Sequence, residues 1–161
     1  MLNIRPATPN DIPEILKLIR ELAEYEKLTH LAVATAEDLR RDGFSERPYF
    51  HALMAEWEGE PAGYALYFHN YSTFRGRPGL FLEDLFVRPQ FRRKGIGKAL
   101  LLRVARIAVE KGCARFEWQV LDWNTPAIEF YKSLGAVVMK EWLTMRVTGE
   151  ALEKLAAQSS I

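Results

Sequence analysis

Two adjacent carboxylates, Glu83 and Asp84, interrupt an apolar run from Leu80 to Val87, and a basic, glycine-bearing segment follows. Beyond Pro89 come Arg92, Arg93 and Lys94, then Gly95-Ile96-Gly97, then helical periodicity through Leu102. The order reads as strand, glycine-bearing turn, helix. Such a junction presents free backbone N–H groups, at the positive end of a helix dipole, to an anion. Three neighbouring cations strengthen the case for a phosphate-bearing ligand. Taken alone they also suit a solvated charge run.

The two common nucleotide signatures fail on particular residues. A dinucleotide fingerprint requires a third glycine where Leu100 stands. A nucleoside-triphosphate loop requires Ser or Thr after Gly97-Lys98, and Ala99 follows instead. What remains is Arg92-x-x-Gly95-x-Gly97.

The rest of the chain must position that stretch. Its 161 residues suit one domain with a genuine core, and a formal charge of +1 argues against bulk attraction to nucleic acid or membrane. No apolar run is long enough to span a bilayer, and the first residues lack a secretory layout. One cysteine, Cys113, excludes an intrachain disulfide and fits a reducing cytoplasm; with three scattered histidines it makes no zinc spacing, so no metal is expected.

Leu2 to Arg5 alternates as a strand, and Ile12, Ile15, Leu16, Ile19 and Leu22 recur at helical spacing. A second helix is predicted from Thr35 to Gly43, with Thr35-Ala36-Glu37-Asp38 as its cap. Phe50–Trp57 and Ala62–Tyr71 read as a hairpin about Glu58-Gly59, and Ser72–Gly79 as a loop. Strands are predicted at Leu80–Val87 and Phe116–Leu121, and helices at Ile96–Lys111 and Pro126–Leu134. Val137–Lys140 and Trp142–Val147 read as a final strand pair, and Thr148–Ala157 as a last helix. The pattern predicts a mixed α/β (α+β) domain with helices on the faces of a sheet.

The loop motif resembles that of the GCN5-related N-acetyltransferase (GNAT) superfamily, where it cradles the pyrophosphate of acetyl-CoA. Asn124-Thr125-Pro126 through Phe130-Tyr131-x-x-x-Gly135 is similar to the superfamily's second signature, and Ile4-Arg5-Pro6-Ala7-Thr8 with Asp11 to its first strand and helix start. Glu21 to Glu26, Asp42-Gly43-Phe44, Leu82-Glu83-Asp84 and Trp142 resemble the spermidine/spermine N1-acetyltransferase group. Tyr71 to Arg77 and Leu121 to Asn124 lean toward its diamine- and thialysine-acetylating branch. In the polyamine enzyme the position of Ser72 is acidic and that of Phe74 is Trp.

The resemblance implies a single-domain GNAT fold over 1–161, with a central mixed, mostly antiparallel sheet flanked by helices. It implies acetyl transfer from acetyl-CoA to a small primary amine, a diamine or a thialysine-like side chain, by direct attack in a ternary complex. A polyamine, a protein amine, or a non-catalytic acyl-CoA-binding module is the alternative.

A lysine-type amine with a pKa of about 10.4 is only about one part in 10³ neutral near pH 7. Its ammonium must therefore be held and deprotonated. The resemblance gives that proton transfer to Glu83, with Asp84, Tyr25 and Glu26 walling the amine pocket. Adjacent strand residues face opposite ways, so a bulge is needed for Glu83 and Asp84 to act together. Tyr131 would protonate the leaving thiolate. Leu85, Phe86, Val87 and Asn124 would meet the pantetheine arm, and Arg92, Arg93, Lys94, Gly95, Ile96, Gly97 and Lys98 the phosphates. A homodimer with its interface near Trp142 is also implied.

Overall fold

A computed structural model describes residues 1–161, which form two compact units, Met1–Leu121 and Asp122–Ile161. The first unit contains β1 (Leu2–Pro6), α1 (Ile12–Tyr25), α2 (Ala36–Gly43), β2 (His51–Trp57), β3 (Glu60–Ser72), β4 (Arg77–Val87), α3 (Ile96–Glu110) and β5 (Phe116–Trp118). The strands lie in the order β1-β2-β3-β4-β5. Neighbours are antiparallel until β4 and β5, which run parallel. The parallel pair requires a long crossover, and α3 supplies it. This is the mixed, mostly antiparallel sheet expected.

Each face of the sheet is covered for a reason visible in the side-chain spacing. The apolar stripe of α1 buries Ile12, Ile15 and Leu18. These join Leu39 of α2 and cluster with Ala52, Met54, Tyr64, Leu66 and Phe86 of the sheet. Alternation sends Leu53 and Ala55 to the opposite face, where α3 packs through buried Leu100, Leu101, Val104 and Ala108. The cap of α2 is reciprocal: the Asp38 amide donates to Thr35 Oγ1 at 3.2 Å, and the Thr35 amide to Asp38 Oδ2 at 2.9 Å. The hairpin between β2 and β3 turns on Glu58 and Gly59, both left-handed, with φ of +49° and +83°. That geometry matches the twist of paired strands.

One side chain ties α1 to the sheet next to the glycine loop. Arg88, just past β4, places Nη2 2.6 Å from Glu14 and 2.9 Å from Glu21, both on α1. Its Nε also donates to Glu21 at 3.0 Å, and its Nη1 to the Pro61 carbonyl at 3.0 Å. The guanidinium thus spans two elements and the end of β4 at once.

Two expectations change. Arg77–Gly79, read as loop because of its proline and glycine, begins β4 and pairs with Ser72 to Asn70. Long-range pairing overrides local turn propensity there. The second unit holds α4 (Thr125–Ser133) and α5 (Gly149–Ala156), and the strand pair expected over 137–147 does not form. Alternating apolar residues signal a strand only when a neighbour completes the ladder. Here no strand pairs with them, and Val137, Trp142, Leu143 and Met145 stand exposed.

Replacing Arg88 by Met should strand two carboxylates and lower stability by roughly 1–3 kcal/mol, the scale of hydrogen bonds to charged groups. Urea unfolding would read this as a fall in midpoint at constant slope; an unchanged midpoint removes Arg88 as the clamp.

Candidate active site

The pairing register of β4 explains how two adjacent carboxylates reach one place. Leu66 of β3 pairs with Asp84, but the next residue, Tyr67, pairs with Leu82. Glu83 is therefore the extra residue of a β-bulge, inserted where the ladder skips. A bulge bends its strand and re-aims side chains, so the alternation rule no longer separates Glu83 from Asp84. Glu83 is solvent-exposed, whereas Asp84 is partly buried on the α1 face. There it accepts a hydrogen bond from the Tyr64 hydroxyl at 2.8 Å.

Glu26, capping the C-terminal end of α1, completes a group of three carboxylates. Their mutual influence is electrostatic. Burial pushes the Asp84 carboxyl up to about 6; the Tyr64 hydrogen bond opposes the rise, and the charges of Glu83 and Glu26 add to it. Burial also raises Glu26, with Glu83 as the second cause. No basic side chain forms an ion pair with any of the three. Like charges held together without a counter-charge are expensive. Such an arrangement is suited to receiving a cation.

The bulge also coincides with an opening in the sheet. β5 pairs with Leu80, Phe81 and Leu82 only, so beyond the bulge β4 keeps a single strand neighbour. One side of the main chain from Glu83 to Val87 thus faces no strand, and an extended amide-bearing chain can pair there. The Arg88 amide donates to the Ala62 carbonyl, so in this register the main-chain groups of Phe86 face β3 and those of Leu85 and Val87 face the open side; the Phe86 side chain is buried in the core cluster.

The glycine loop lies at the end of this open edge. Arg93 and Gly95 are both left-handed, with φ of +64° and +75°, and Gly95 is the N-cap of α3. The first hydrogen bond back to the cap comes from the Ala99 amide to the Gly95 carbonyl, leaving the preceding N–H groups without intrahelical partners. A Cβ at Gly95 would meet nothing within 4 Å, and one at Gly97 would touch only Val87 Cγ2 at 3.7 Å. The space over the loop is open, and the N–H groups, left-handed turn and flanking cations fit the pyrophosphate of acetyl-CoA.

The cations of the loop have separate environments. Arg92 donates from Nε to the Val87 carbonyl at 3.0 Å, and its guanidinium lies 5.1 Å from the Tyr25 ring centroid and 5.7 Å from that of Phe86. Lys94 Nζ sits 4.9 Å from the Trp57 ring. Lys98 follows in the first turn of α3, and Ile96 is fully buried, so only its amide is available to a ligand.

Asn124 and Tyr131 lie in the second unit. Asn124 Oδ1 accepts from the Ala127 amide at 3.4 Å as the N-cap of α4. Tyr131 is half-buried on that helix, its ring 5.5 Å from that of Phe130. Ser72 is buried, and its Oγ accepts from the Arg75 amide at 3.3 Å, so it serves the β3–β4 turn. Sequence reasoning missed Tyr64 and Arg88. Tyr64 reads as one more core aromatic, and its relation to Asp84 appears only once β3 and β4 are in register.

The raised Asp84 carboxyl carries a sign. Because its folded value of about 6 exceeds its ordinary 3.8, the protonated form favours the fold, and stability falls as pH rises between those values. Asp84→Asn should abolish that fall. It should stabilise the chain above pH 6 by up to roughly 3 kcal/mol, at about 1.4 kcal/mol per unit, with little relative gain near pH 4. Thermal melts at both pH values check this; destabilisation at neutral pH would contradict it.

Comparison with known proteins agrees with the geometry. Residues 13–136 match the Acetyltransferase (GNAT) family. The thialysine N-epsilon-acetyltransferase of Mus musculus is 45% identical, over 96% of this chain and 97% of its own length. An L-ornithine N5-acetyltransferase of Arabidopsis thaliana is 37% identical, over 94% of this chain and 86% of its own. Among solved structures, an integron cassette protein from the mobile metagenome of V. cholerae superposes with a TM-score of 0.80 at 28% identity, over 98% of each chain. With its bulged central strand, open edge and glycine loop, the chain belongs to the GNAT acetyltransferase family.

Proposed function

We propose that this chain transfers acetyl from acetyl-CoA to a primary amine of a small diamine or thialysine-like substrate. The observation that carries the substrate class is the group formed by Glu26, Glu83 and Asp84. Three carboxylates without a counter-charge suit a substrate that brings one or more ammonium groups. Relatives at 45% and 37% identity whose names specify thialysine and L-ornithine support the same class. Both names describe amines on short flexible chains.

When bound, acetyl-CoA supplies the acetyl group as a thioester. Gly95, Gly97 and the first amides of α3 would hold its phosphates, with Arg92, Arg93, Lys94 and Lys98 adding positive charge. The open side of Leu85 to Val87 would hold the pantetheine arm, and Asn124 is assigned to the same arm on its motif. Glu83, exposed at the bulge, would accept the ammonium proton, directly or through water, and free the nitrogen lone pair. Tyr25, Glu26 and Asp84 would keep the substrate cation in place. Tyr131 is assigned on its motif as the acid that protonates the departing thiolate. Direct transfer is favoured because Cys113, the only cysteine, lies outside the motif segments.

The family match from residue 13 to 136 crosses the boundary between the two compact units, which supports one acetyltransferase domain over 1–161. A cytoplasmic homodimer completes the proposal. Exposed apolar side chains near Trp142 support the dimer, and no helix is long and apolar enough to cross a membrane. A sedimentation mass equal to one chain would remove the dimer.

An amine panel at fixed acetyl-CoA, scored by CoA release, tests the function. Short diamines and thialysine should give the highest kcat/KM, and long polyamines less. Tyr131→Phe should lower kcat by roughly 10²-fold or more, the scale of one general-acid contribution, with acetyl-CoA binding nearly intact. Tight acetyl-CoA binding without turnover of any amine would instead indicate a non-catalytic acyl-CoA-binding module.

A further inference from the structure

The Tyr64 hydroxyl stands out within the core. Its side chain has 0% exposure and sits in the apolar cluster with Ile12, Ile15, Leu18, Met54 and Phe86. Phenylalanine would fill the same volume without a polar atom to satisfy, since a buried hydroxyl without a partner is costly. The hydroxyl has one hydrogen-bond partner, Asp84 Oδ2 at 2.8 Å, and Asp84 has no other side-chain hydrogen bond. Register explains the approach: Tyr64 pairs with Phe86, and Asp84 lies two residues back along β4 on the same face.

We infer that Tyr64 is a positioning residue for the acetyl acceptor: its buried hydroxyl aims the Asp84 carboxylate into the amine site and holds it there as an anion. The inference rests on the reading of Glu26, Glu83 and Asp84 as the amine-cation site. The groups acting on Asp84 come from three elements: Tyr64 on β3, Glu83 on its own strand β4, and Glu26 at the end of α1. Both other carboxylates oppose ionisation of Asp84, as does burial. Tyr64 is the one group that favours it, because a hydroxyl donor stabilises the charged form. Tyr64 thereby sets how acidic the medium can become before the site loses a negative charge. The effect should be greatest for substrates carrying two positive charges.

The test is Tyr64→Phe, read in two independent ways. Aspartate carboxyls labelled with ¹³C, with Asp84 assigned through Asp84→Asn, should show an Asp84 titration midpoint raised by roughly one unit in the variant, as expected on losing a hydrogen bond to the charged form. Separately, the acid limb of kcat/KM for a diamine should move to higher pH. The diamine KM should rise by roughly twofold at pH 7 and by roughly 5- to 10-fold at and below pH 6, as a one-unit shift of the midpoint requires, recover in alkaline buffer, and leave the acetyl-CoA KM unchanged. In an Asp84→Asn background the same substitution should have no further effect on amine KM.

An unmoved midpoint overturns the inference. So does a moved midpoint with an unmoved pH profile and amine KM, or an equal loss at all pH values, which a packing defect alone would give. Failure of the acetyltransferase reading looks different: the unsubstituted chain would turn over no amine, while the carboxyl titration would still report on Tyr64.

Discussion

One extra residue in β4 is the constraint on which the site depends. Without the bulge at Glu83, strict alternation would send Glu83 and Asp84 to opposite faces of the sheet, and only one could serve a ligand. With it, the strand bends where β5 ceases to pair, and one local irregularity has two effects. It lets Glu83 act on both Asp84 and Glu26, and it falls where β4 loses β5 as a neighbour. In the proposed reaction, both substrates would meet β4 beside this single departure from regular pairing.

The energetic character of the two ends differs. The glycine loop offers partial positive charge from backbone N–H groups, reinforced by exposed cations that water already solvates, so an empty loop costs the fold little. The carboxylate group is partly buried and repels itself, and the fold tolerates it because α1 is held down elsewhere. Arg88 ties Glu14 and Glu21 of α1 to the end of β4, in opposition to the repulsion at the helix's C-terminal end. Stability is drawn from the ion pairs of Glu14 and Glu21 along α1 and given up at its C-terminal cap, Glu26, a division common where a site must be ready for a charged ligand.

Much of this was legible in the sequence, for reasons that can be named. The helical stripe of α1, the Thr35 cap and the Asn124 cap are local patterns, and they formed as the spacing implied. The strand, loop and helix from Leu80 to Leu102 are likewise contiguous, so residue order alone was enough to predict the strand, glycine turn and helix that form there. Properties that depend on register were hidden. That Glu83 is the bulged residue, that Tyr64 meets Asp84, and that Arg88 reaches α1 all require β3 and β4 to be aligned first. Arg77 to Gly79 misled because turn-forming residues were read without the partner strand that recruits them. Residues 137 to 147 misled in the opposite sense: alternating apolar residues were read as a ladder, and no strand pairs with them here.

The left-handed turn at the entrance to α3 has a consequence of its own. Arg93 and Gly95 flank Lys94 with positive φ, so the peptide planes of the loop are already set in a conformation that L-residues rarely adopt. An anion bound there, as proposed, would meet a finished concavity and would not have to order one, which would remove a conformational-entropy cost from its binding. In the proposed phosphate site, recognition would then reside in the path of the main chain more than in the identity of the three cations. The loop should accept exchanges among basic side chains far more readily than any residue that straightens its turn.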